Sequence, residues 1–178
     1  MRTQYEEAWK VVKDEPTAAY AILNTLMAGL VESWVSKDTF LKSRDLTKDL
    51  ATVRALLAPV LKTEMEFWAE IMSVDCDLFE HLAKEKAPLP TSTEASRGKA
   101  RAKKRSASQS TVKEGADMIA VINDLAARYQ EIRKLGSRRQ FASVLDQIEF
   151  METMANRGRR RQIAEELHRL IVALAKEL

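Results

Sequence analysis

Cysteine is nearly absent from this chain: Cys76 stands alone, so no disulfide can form within it, and the zinc spacings that need paired thiols are missing. Glycine is scarce as well, with five in 178 residues and no two closer than seventeen positions, which excludes a Walker phosphate loop and a dinucleotide fingerprint. Four prolines, few aromatics and no β-branched runs leave little material for strands and turns. The two histidines, His81 and His168, lie in opposite halves with no nucleophile motif near either. Glu165 and His168 have the three-residue spacing of a di-metal bundle, but the position three before His81 is Leu78, so the second pair is missing. No catalytic residue, metal ligand or cofactor is assigned, and a non-enzymatic protein is the expectation. Cys76 reads as a small buried hydrophobe, and both histidines as helix-surface residues.

What is abundant is Ala, Leu, Glu, Lys and Arg, and the chain reads as all-α. Hydrophobic residues make up 46%, enough for a core. The most apolar segment, residues 18–35, contains Asn24, Thr25, Glu32 and Ser33. It is too polar for a membrane span and reads as a buried central helix with contacts on several sides. Residues 1–9 are polar and charged, without the pattern of a secretory signal, and with the lone cysteine they predict a cytosolic (cytoplasmic) protein.

Helix boundaries are legible. Thr3 to Glu6 has the spacing of a capping box, Pro16 fits the first position of a second helix ending near Ser36, and Asp38 is placed to cap a short helix carrying Phe40 and Leu41. A long helical region from about 47 to 86 follows, with Pro59 expected to kink or split it near Ala58 and Ser73 or Asp75 available to cap a restart. In the C-terminal half, Thr111 and Glu114 form a second capping box, and Ser137 and Gln140 a third. Gly136 fits a left-handed helix-ending residue, and Asn156 to Gly158 ends the next helix. Apolar heptad faces follow: Met118, Ile122, Leu125, Tyr129 and Ile132; then Phe141, Val144, Ile148 and Met151; then Ile163, Leu167, Leu170, Leu174 and Leu178.

Between the halves lies a stretch unlike the rest. Residues 86–110 offer only Leu89 to a core and hold six cations between Arg97 and Arg105. The balance of formal charge is −4 over residues 1–87, +5 over 88–114 and +2 over 115–178. This predicts an acidic helical bundle for association over 1–87, a basic low-complexity linker over 88–111, and a three-helix unit with basic ends over 112–178. The 1–87 segment, with Trp9, Trp34 and Trp68 as large anchors, is expected to join itself or other subunits.

The candidate nucleic-acid-binding residues are Arg97, Lys99, Arg101, Lys103, Lys104 and Arg105 of the linker, with Arg138, Arg139, Arg157, Arg159, Arg160 and Arg161 of the C-terminal half. Cations at a helix start oppose the helix dipole, at a cost of about 0.3–1 kcal/mol each. Free amides and guanidinium groups together make a phosphate site. In an up-down-up unit, the Gly158 turn lies at the end where the linker enters. Arg133, Lys134, Arg138 and Arg139 gather about 25–30 Å away, a span of about eight base pairs.

In format, an acidic helical half, a basic hinge and a small helical half, the chain looks like small nucleoprotein-assembly subunits of phages and prokaryotic complexes. The expected partner is DNA or RNA, contacted through its backbone. The competing readings are a protein–protein adaptor that docks helices, with the linker a plain tether, and a nuclear-localisation role for Lys103 to Arg105.

Overall fold

The computed structural model describes residues 2–11, 16–36, 39–63, 66–84 and 107–176, all of them in helices or the turns between helices, with no strand among them. Seven α-helices follow in order: α1 (Arg2–Val11), α2 (Pro16–Val35), α3 (Leu46–Thr63), α4 (Phe67–Lys84), α5 (Ala107–Arg133), α6 (Arg138–Arg157) and α7 (Arg161–Ala175). A 3₁₀ turn, Phe40–Ser43, precedes α3.

α2 is the hub. It packs against α1, α3, α4, α6 and the 3₁₀ turn, which accounts for apolar residues nearly all round it. Thr17–Val35 is long and apolar enough to cross a bilayer by length and composition, yet 67% of it is buried inside the bundle. Its polar residues are accommodated by the helix itself. Thr25 is fully buried and its hydroxyl donates to the Ala21 carbonyl at 2.8 Å, while Asn24 Nδ2 donates to the Tyr20 carbonyl at 2.8 Å.

The break after Pro59 falls later than its position suggests. Pro59 lies inside α3, which continues to Thr63, and α4 restarts at Phe67 rather than at Ser73 or Asp75. A proline removes one hydrogen bond, and α3 tolerates that loss where Val53 and Leu57 are already anchored in the core. α3 and α4 pack on each other as a helical hairpin. Asp45 Oδ1 accepts from the Lys48 amide at 3.0 Å and caps α3.

Two other expected boundaries shift. Thr3 lies within α1, which begins at Arg2, so it is not the N-cap. Thr111 lies within α5, whose backbone starts at Ala107, so residues 107–111 of the expected linker are helical. Asp38 lies outside the described residues, and the 3₁₀ turn has Thr39 in the cap position without a side-chain cap bond. The Ser137–Gln140 capping box forms with both arms, the Ser137 hydroxyl accepting from the Gln140 amide at 3.2 Å and Gln140 Oε1 from the Ser137 amide at 2.8 Å.

Gly136 does not take the left-handed conformation. α5 ends in tightening turns through Leu135, and Gly136 is there because a side chain would collide with the Phe67 ring. Gly158 is likewise a close-approach glycine: a Cβ would run into the Trp34 carbonyl at the end of α2. The left-handed residue of that turn is Arg159, at φ 56°.

One core crosses the linker. The described residues of the α5, α6 and α7 stripes, Ile122 to Ile132, Phe141 to Met151 and Ile163 to Leu174, are buried at their heptad positions. Leu178 and the side chain of Met118 lie outside the described residues. The stripes meet Leu26, Leu30 and Trp34 of α2 and Phe67, Leu78 and Leu82 of α4 in a single cluster. Trp34 is thus a packing residue rather than an association anchor, and the side chain of Trp9 lies outside the described residues. Polar links reinforce the join. Asp77 accepts from Arg54 of α3 and Arg128 of α5, each at 2.6 Å, and Tyr129 donates to buried Asp75 at 2.5 Å. Burial alone would raise the Asp77 carboxyl, but the bonds from Arg128 and Arg54 win and hold it below the usual range.

His81 is not a surface histidine. Its Nε2 lies 2.8 Å from Oε2 of Glu166, a carboxylate 1% exposed. His168, exposed on α7, pairs with Glu152 at 3.3 Å. Cys76 is buried as expected, and burial pushes its thiol up to about 12, which disfavours the nucleophilic thiolate.

Candidate nucleic-acid interface

α6 and α7 form an antiparallel hairpin, and its turn, Gly158 to Arg160, is the centre of the candidate site. The chain leaves α6 through two backbone bonds: the Arg159 amide donates to the Asn156 carbonyl at 3.0 Å, and the Arg160 amide to the Ala155 carbonyl at 2.8 Å. This geometry needs one left-handed residue, and Arg159 supplies it. A β-carbon there costs about 1–2 kcal/mol, which a glycine would avoid.

Arg157, Arg159, Arg160 and Arg161 are therefore brought together on one turn. Arg157 is exposed at the last position of α6. Arg160 is half-buried in the N-cap position of α7, and its Nε is buried with no hydrogen-bond partner among the described residues. Arg161 opens α7 with its side chain 90% exposed and pairs with Glu165 at 2.9 Å, an i,i+4 contact worth little in water.

The tertiary structure alters the electrostatic argument for these residues. Arg157 and Arg159 lie at the C-terminal end of α6, and the turn abuts the Trp34 carbonyl near the C-terminal end of α2. Both ends carry partial negative charge and favour cations, which offsets the unfavourable start of α7. Position against the dipole is thus a weaker sign of function than the sequence suggests.

Arg138 and Arg139 occupy the first turn of α6, exposed, with no ion pair among the described residues. Twenty residues of α6 place them about 28 Å from Arg157 at 1.5 Å per residue. Nearby, Arg133 lies over the Phe141 ring at 5.8 Å and Lys134 pairs with Glu131 at 2.8 Å, so these two are engaged locally. The edge between the ends is not uniformly basic along α6, because Asp146, Glu149 and Phe150 are exposed there.

The better track is on α7, and part of it is missed by reading runs of arginine. Arg161, Glu165, Arg169, Val172 and Lys176 share its exposed face, three cations against one carboxylate that is already paired. Over fifteen residues this face spans about 22 Å, or six to seven base pairs at about 3.4 Å each. The signal for Arg169 and Lys176 was the helical period itself, read on the polar side of the α7 heptad.

Gln130 Nε2 donates to the Ala173 carbonyl at 3.2 Å, which sets the C-terminal ends of α5 and α7 side by side. Both helices run the same way, so α5 begins at the end of the bundle where the arginine turn lies. The linker cations Arg97, Lys99, Arg101, Lys103, Lys104 and Arg105 lie outside the described residues. Among the described residues, no group of three histidine, cysteine or carboxylate side chains is placed to hold a metal ion.

Neither a protein-family model, nor a curated protein, nor a solved structure matches this chain. The functional reading therefore rests on the residues and their placement.

Proposed function

We propose that this protein is a non-enzymatic helical subunit of a nucleoprotein assembly that binds the phosphate backbone of DNA or RNA. The turn holding Arg157, Arg159, Arg160 and Arg161 carries the reading, because it gathers four guanidinium groups beside the first amides of α7. Arg169 and Lys176 extend the contact along α7, Arg138 and Arg139 form a second anchor, and the linker cations add a sequence-independent attraction. Base readout is not implied, since backbone contacts fix position without reading sequence.

A protein–protein adaptor is the second reading. Exposed Val11, Tyr20, Trp68, Phe150 and Val172 favour it, being large apolar groups on several helices. Fluorescence anisotropy with labelled duplex DNA and single-stranded RNA, read across a salt series, separates the two. Phosphate binding weakens steeply with salt, whereas apolar docking does not. No affinity for either nucleic acid at about 50 mM salt would leave the adaptor reading standing.

A further inference from the structure

Three helices, α2, α4 and α6, enclose a cavity of about 410 Å³ that the basic surface does not use. Its two main walls are helical stripes of the same register: Tyr20, Leu23, Asn24 and Met27 on α2, and Trp68, Ile71, Met72 and Asp75 on α4. Ser143 and Gln147 of α6 complete the lining. The volume falls within the range of small-molecule sites, about 300–1,000 Å³.

The chemistry of the lining is lopsided. Tyr20 and Trp68, 52% and 41% exposed, flank the mouth as two aromatic side chains open to solvent. Leu23, Met27 and Ile71 are buried and make the interior apolar. Asp75 is the sole ionisable group on the deep side, 7% exposed. Its Oδ1 accepts from Tyr129, and the carboxyl also lines the cavity. Neighbouring Asp77 takes both nearby arginines, Arg54 and Arg128, so none reaches Asp75. A buried carboxyl with no cation paired to it among the described residues is costly to ionise, and an apolar or amide side chain would have filled the position without that cost.

We propose that this cavity is a binding site for a small aromatic amine, whose ammonium group pairs with Asp75 while its ring packs between Tyr20 and Trp68. The ammonium supplies the charge and the donor that Asp75 lacks, and the aromatic faces attract it further through their quadrupoles. Met27 and Met72 give the pocket adaptable walls. Tyr129 of α5 bonds Asp75, the Cys76 thiol lies beside it on α4, and Tyr20 of α2 with the uncharged Ser143 and Gln147 of α6 share its cavity, so no cation competes among these described residues.

Burial pushes the Asp75 carboxyl up to about 7, the Tyr129 bond pulling the other way. A bound ammonium favours the ionised form, so binding releases a proton near neutral pH, and affinity rises by up to about tenfold per pH unit below that value before levelling above it.

The test is an NMR titration of the full chain with 2-phenylethylamine and its neutral counterpart 2-phenylethanol, following the Trp68 indole and the Ser143 and Gln147 amides. At pH 8 the amine is expected to bind at least about tenfold more tightly than the alcohol. That preference should vanish in Asp75→Asn and shrink at pH 5.5. Ser143→Trp, which fills the cavity from α6 while leaving the Asp75 carboxyl in place, should abolish both titrations while the melting transition stays cooperative. Equal affinity for amine and alcohol, an amine preference that survives Asp75→Asn, or no saturation by the amine below about 10 mM would each overturn the proposal.

Discussion

Nε2 of His81 on α4 lies 2.8 Å from Oε2 of Glu166 on α7, a polar bond between residues 85 positions apart that joins the two halves of the chain inside the core. Glu166 is 1% exposed and its second oxygen has no partner among the described residues, so the pair depends on the histidine. His81→Leu alone is expected to cost about 3 kcal/mol, because it strands a buried carboxylate. The double change His81→Leu with Glu166→Leu should recover most of that loss. Urea denaturation of both single variants and of the double variant measures the coupling, and a double loss equal to the sum of the two single losses would show that the pair has none.

Asp75 predicts a pH dependence with a definite sign. Its folded carboxyl titrates near 7, above the unfolded value, so the folded state holds a proton that the unfolded chain releases. Its contribution is fully present at low pH and is lost as pH rises through about 7. Asp75→Asn keeps the shape and can still accept from Tyr129, yet cannot ionise. Thermal melts should show the variant gaining on the native chain by a few kcal/mol between pH 5 and pH 8. A constant difference across that range would mean that Asp75 does not titrate there.

The glycine at 158 is required by its neighbour rather than by its own backbone angles. Gly158→Ala places a methyl group against the Trp34 carbonyl and should destabilise the fold by about 1–3 kcal/mol. Gly136→Ala meets a side chain, the Phe67 ring, instead of backbone and should cost less. Denaturation midpoints of the two variants give the order directly.

Arg159 separates stability from binding. Arg159→Gly relieves a left-handed residue worth about 1 kcal/mol, partly offset by the freedom glycine adds to the unfolded chain. The melting temperature should hold or rise slightly while nucleic-acid affinity falls. Replacing Arg159, Arg160 and Arg161 together with Gln should also flatten the salt dependence, by up to about 0.9 in slope for each duplex-DNA phosphate that is no longer neutralised. Unchanged affinity in both variants would remove this turn from the interface.

Residues 112–178, expressed alone, lack the α2 and α4 side of the shared core, including Asp75 as the partner of Tyr129 and Trp34 as the neighbour of Gly158. The fragment should show helical circular dichroism without a cooperative melt, and co-expression with residues 1–87 should restore one. A cooperative transition in the isolated fragment would show that α5, α6 and α7 suffice.

The sequence by itself determined the helices, because their signals are local. Pro16 opens α2, Ser137 and Gln140 close a reciprocal cap on α6, and the apolar steps of α5, α6 and α7 mark the faces that are buried. It also supplied the list of cations, since charge is read directly from residue type. Only the tertiary structure decided what those residues meet. The partner of His81 lies 85 positions away, Trp34 turned inward because α6 and its turn cover it, and Gly136 and Gly158 answer to a ring and a carbonyl from the other half. The electrostatic standing of the Arg157 to Arg161 cluster was likewise set by the ends of α2 and α6 beside it, and the cavity at Asp75 by three helices far apart in sequence. Periodicity fixes which side of a helix is buried, but the neighbour that buries it comes from long-range packing, which no short stretch of sequence encodes.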